Sequence, residues 1–237
     1  MTYRALDPAK ILETLTQLRA RIGERFPNSG LTKVCDEAVQ TAALTQARVA
    51  AALTPNPWLR YGVWALIGAG AIAQIFAARL LNVRFTQIEA VSLVSGLEAA
   101  VNLLLLFGGG VWFLLTLEER LRRQRVLAAL HELRALAHVI DMHQLTKDPT
   151  IVLNPHLRTQ ASPARAMSEF ELARYLDYCA EMLALLGKLA ALYSERMRDP
   201  VIIEAVNDVE NLTANLGRKI WQKIMIISQL DERRAGA

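Results

Sequence analysis

The chain is poor in the residues that break or staple a fold. Its 237 residues include two cysteines, eight prolines and twelve glycines, and aromatic residues make up 6%. Two cysteines exclude a disulfide scaffold, and so little glycine and proline excludes a collagen-like or low-complexity chain. A hydrophobic content of 53% excludes intrinsic disorder. The motifs of P-loop, zinc-finger, kinase and hydrolase chemistry are missing as well. The last shortage is positional. Charge is absent from Tyr61 to Ala78 and from Ala99 to Leu117, whereas all 27 Lys and Arg and all 23 Asp and Glu lie outside these runs.

As helices rising about 1.5 Å per residue, the two runs cover roughly 27 to 29 Å, the hydrocarbon thickness of a bilayer. Trp58, Tyr61 and Trp64 cluster where the first begins, and Trp112 and Phe113 near where the second ends, at the depths where amphipathic rings favour headgroups. The runs are therefore read as membrane spans, not as buried helices of a soluble core. The mean hydropathy of +0.21 is then an average over two apolar spans and an ordinary soluble remainder. The first 57 residues are charged and helical in pattern, so no cleavable signal peptide is expected and the first span serves as its own insertion signal.

Segments 40–60 and 118–137 carry Arg48, Arg60, Arg120, Arg122, Arg123, Arg125 and Arg134, while the connection 79–98 carries only Arg79 and Arg84. The positive-inside rule puts both termini in the cytoplasm of a bacterial inner-membrane type protein. Arg120, Arg122, Arg123 and Arg125 then form a basic anchor facing anionic lipid. No aromatic residues interleave with them, which argues against nucleic acid. Cys35 and Cys179 face a reducing compartment, where buried apolar packing is the expectation.

Aligned by depth, Gly68 and Gly70 come level with Gly110 and Gly108, and Gln74 comes level with Asn102. Small residues at matched depth let helices approach, and a hydrogen bond between the two amides would clasp them. The segment from Gly68 to Ala73 reads G-x-G-x-x-A and resembles the dinucleotide-binding fingerprint of Rossmann enzymes. That resemblance implies alternating strands and helices, yet an uncharged span running into a charged helix follows, so the glycines are assigned to membrane-helix packing.

Elsewhere helix signals dominate. Asp7-Pro8 opens a helix with the stripe Ile11, Leu15, Leu18 and Ile22, and Pro27-Asn28-Ser29-Gly30 ends it. A second stripe runs from Leu31 to Ala52 until Pro55 and Pro57 interrupt. With no Gly or Pro between the second span and Pro149, that span is expected to continue as a helix to about Leu145, with the seam Val126, Ala129, Leu133, Leu136, Ile140 and His143. Heptad spacing returns at Leu172, Leu176, Cys179, Leu183, Leu186, Ala190, Tyr193 and Met197, from a cap at Ser168. It returns again at Val206, Val209, Thr213, Leu216, Ile220, Lys223 and Ile227. Asn207, Asn211 and Asn215 lie beside this last seam.

The fold class expected is all-α: a two-pass transmembrane helical hairpin with cytoplasmic helical-bundle and coiled-coil segments. The divisions are an N-terminal helical hairpin at 1–57, the membrane hairpin at 58–117 with spans about 59–81 and 97–117, an extension at 118–145, a loop at 146–168 and a coiled-coil hairpin at 169–237. The four histidines fall between His131 and His156, and His138, Asp141 and His143 would be the first ligands of any metal. Helical geometry gives them no chelating pair one turn apart, so no metal, cofactor or catalytic residue is assigned. The stretch 138–149 is the place to look for any ligand. The function expected is a membrane-anchored scaffold or interaction module without enzymatic activity. Its partners are the bilayer, further copies of itself through the seams, and an unidentified protein. The alternative is a pore gated by the cytoplasmic helices, because the plan resembles that of two-helix pore-forming effectors of bacterial defence systems.

Overall fold

A computed structural model of the chain describes residues 5–54, 57–80, 90–152, 154, 156, 159–160, 167–197 and 199–235. Among these residues every regular element is helical: α1 (Pro8–Arg25), α2 (Gly30–Leu53), α3 (Pro57–Leu80), α4 (Ala90–Leu145), α5 (Pro149–Val152), α6 (Glu169–Arg196) and α7 (Pro200–Ala235). The apolar connection between the spans falls mostly on residues 81–89, outside the described residues, and from Ala90 onward it is helix.

Helix boundaries follow from local chemistry. The Asp7 carboxylate accepts from the Ala9 N–H at 2.9 Å, and Pro8 fills the first helical position, where a missing N–H costs nothing. The chain leaves α1 through Asn28, whose φ of 58° lies in the left-handed region that asparagine tolerates better than most residues. A capping box opens α6: the Ser168 hydroxyl accepts from the Glu171 N–H, and the Glu171 carboxylate accepts from the Ser168 N–H at 2.8 Å. Donation to the Glu171 carboxylate from the Ser168 N–H, and from the Ser168 hydroxyl, holds that carboxyl below its ordinary value.

The chain divides into two units, Met1–Leu53 with Arg125–Ala237, and Thr54–Gln124. In the first, α1, α2, α6, α7 and the end of α4 share one core. Leu15, Leu18, Ile22 and Leu31 are fully buried, as are Leu133 and Ile140 of α4, Leu176 and Leu183 of α6 and Ile220 of α7. The seams that would ask for a helical partner are thus satisfied within the protomer. Every seam position of α6 from Leu172 to Tyr193 is buried, and so are Val206, Val209, Thr213, Leu216, Ile220 and Ile227 of α7. Those side chains lie in the chain's own core. Asn207, Asn211 and Asn215 lie on the exposed side of α7. Arg19–Asp36, Arg21–Glu181 and Arg48–Glu132 link helices across the bundle surface, where solvent screening keeps their contribution small.

Tyr193 is the one exception to full satisfaction among the described buried side chains. It is 1% exposed, and its hydroxyl lies beside Thr45 and the Arg48 guanidinium without a hydrogen bond of good geometry to either. Burial pushes its pKa up. Since an unpaired buried hydroxyl costs on the order of 1 to 3 kcal/mol, Tyr193→Phe is expected to leave the bundle as stable or more stable by up to about 1 kcal/mol. Urea unfolding followed by circular dichroism measures it. A loss above that size would mean the hydroxyl is bonded in solution.

In the second unit, α3 and the first part of α4 expose their apolar side chains. Leu66, Ile72 and Phe76 of α3 and Leu104, Leu105 and Leu106 of α4 are all exposed. Both helices are long and apolar enough to cross a membrane. Only 6% of the most apolar window of α3, and none of that of α4, is buried.

Candidate functional site

Of the four glycines singled out for helix packing, only at Gly70 would an added Cβ meet a neighbour. A Cβ added there would lie 3.1 Å from the Phe107 ring, whereas one at Gly68, Gly108 or Gly110 would meet open space. The matched glycines thus do not bring two backbones together; an aromatic side chain stands where the close approach was expected. Asn102 is exposed, Gln74 is partly covered, and no hydrogen bond joins them among the described residues. In the basic anchor, Arg122 pairs with Glu118 one turn earlier at 3.3 Å, and Arg120 lies over the Phe113 ring at 5.0 Å.

The polar stretch at the end of α4 does assemble into something. Gln144 is 2% exposed and Lys147 1% exposed. The Gln144 amide donates to Asp141 at 2.5 Å, and Lys223 of α7 donates to the Gln144 side-chain oxygen at 2.6 Å and to its backbone carbonyl at 2.9 Å. The last turn of α4 leaves its carbonyls without helical partners, so an ammonium there satisfies an acceptor and opposes the negative end of the helix. Lys147 sits over the Tyr175 ring of α6 at 5.1 Å. Desolvation lowers the Lys223 pKa, against the pull of Asp148 and Asp141. This is a buried polar clasp fastening the end of α4 to α6 and α7.

Burial pushes the Cys179 thiol up to about 12 although Lys147 and Lys223 pull it down, and burial also pushes Cys35 up to about 12. Both are free and buried. Neither thiol of the folded protein is expected to react with a thiol reagent at pH 8, and both should react in denaturant; native reactivity would show that the bundle opens. Thiols of the unfolded chain ionise from about pH 9, so their contribution to stability is intact below that and declines as pH rises toward 12. Lys223 acts oppositely, since its depressed pKa makes folding easier as pH approaches 10.5.

The metal candidates do not converge. His138 is exposed, Asp141 is engaged by Gln144, and His143 packs beside Gly30, where an added Cβ would fall 2.5 Å from its ring. Among the described residues no three His, Cys, Asp or Glu side chains gather to hold a metal ion. The sequence reading missed the clasp itself, although one signal was present: Lys223 occupies an apolar seam position, and a lysine there needs a polar partner. The partner comes from a helix 79 residues away, beyond the reach of spacing arguments. Comparison with protein-family models, with curated proteins and with solved structures finds no match.

Proposed function

We propose that the chain is a two-span integral membrane protein whose helical bundle works in the cytoplasm as a scaffold or interaction module, by holding partners and not by catalysis. One observation carries this reading: the apolar stretches of α3 and of the first part of α4 leave their side chains uncovered, while the other helices and the end of α4 complete a core without them. A soluble protein would bury such helices, because exposing their apolar surface to water costs about 25 cal/mol per Å². The orientation rests on the arginines that flank the spans, and the clasp supports the idea of a rigid bundle.

The bundle retains uncovered apolar side chains at Val139, Met142 and Leu145 of α4 and at Trp221 and Met225 of α7. These are the residues through which copies of the chain, or another protein, would associate, now that the seams are occupied. Alkaline carbonate extraction and vesicle flotation test the membrane assignment: the protein should stay with lipid, and recovery in the aqueous fraction without detergent would overturn it. A reporter fused at Gln87 should lie outside the cytoplasm; cytoplasmic activity would reverse the orientation. Mass photometry in detergent reads assembly, and monomers alone would leave only a foreign partner.

A further inference from the structure

Between α3 and α4 lies a cleft of about 260 Å³. Leu59, Val63 and Trp64 of α3 and Leu114 and Leu115 of α4 make its walls apolar, and Arg60 and Glu118 supply its charge. These two are the charged residues that bound the uncharged runs, so the cleft is charged at the end of the runs and apolar along them. Glu118 is engaged by Arg122, whereas Arg60 forms no ion pair among the described residues. Arg120, Arg122 and Arg123 follow on α4 against Glu118 and Glu119, so the charge near this end of the runs is net positive.

We propose that this cleft binds one anionic phospholipid, with its phosphate on Arg60 and its glycerol and first acyl carbons against Val63, Leu114 and Leu115. The inference rests on the membrane reading above. A guanidinium matches a phosphate with paired N–H donors, and juxtamembrane arginines attract anionic headgroups. A free phosphate would leave the apolar walls wet. A zwitterionic lipid carries its own cation toward the basic residues. An anionic headgroup joined to an acyl chain answers both ends of the cleft.

Vesicles of equal phosphatidylglycerol and phosphatidylcholine containing the 237-residue chain would first be floated, and the protein then extracted for native mass spectrometry. The expected result is one phosphatidylglycerol retained in preference to phosphatidylcholine. Arg60→Gln should cut that retention about tenfold, the scale of a lost charged hydrogen bond. Val63→Phe, which fills the cleft while keeping Arg60, should do the same, and Arg125→Gln, outside the cleft, should change it little. Equal retention of both lipids, or unchanged retention in Arg60→Gln and Val63→Phe, overturns the cleft proposal. A chain that fails to float overturns the membrane reading, and the cleft with it.

Discussion

Leu133→Ala is expected to cost the bundle about 2 to 5 kcal/mol, the range for emptying a well-packed core position. Leu133 is fully buried on α4 and belongs to the core shared with α1, α2, α6 and α7. Those neighbours are themselves fixed in a helical core, so the cavity cannot close cheaply. For a protein of this size the loss should lower Tm by roughly 5 to 15 °C, measured by circular dichroism in detergent. Leu145→Ala, at a position 59% exposed on the same helix, should stay within about 0.5 kcal/mol. Equal effects at the two positions would contradict the shared core.

The second large effect is expected at Leu106, 76% exposed near the middle of the uncharged run of α4. If α4 crosses lipid there, Leu106→Arg exchanges a favourable residue for one costing about 2.5 to 3.5 kcal/mol at mid-membrane, and membrane integration should fall sharply. If the position faces water, the same substitution is a surface change worth no more than about 0.5 kcal/mol. The integrated fraction after carbonate extraction separates these outcomes, with Leu106→Ala as the control. An unchanged fraction for Leu106→Arg would remove the main support for the membrane assignment.

Much of the local structure was legible in the residues. The Asp7-Pro8 start, the Ser168 cap and the unbroken helix through Leu145 all rest on interactions within a few residues, and each is present. The buried stripes of α1 and α6 were equally legible, because helical period alone decides which side chains share a face. The glycines show the limit of the same reasoning. Depth alignment placed Gly70 level with Gly108, but depth leaves rotation about the helix axis undetermined, and it is Phe107 that faces Gly70.

The sequence by itself determined the chain's helical character, the two apolar runs and the buried stripes, since each depends on charge, capping and periodicity along a single helix. Only the tertiary structure decided what fills each stripe. A heptad seam states that a helical partner is needed and does not distinguish a neighbour in the same chain from a second copy. Here α1, α2 and the end of α4 close around α6 and α7, so the seams are spent within one molecule. The pairing of Lys223 with Gln144 and the presence of Arg60 and Glu118 in the lining of one cleft belong to the same category. They depend on which helices meet, and that is settled by the packing of the whole and not by any local pattern.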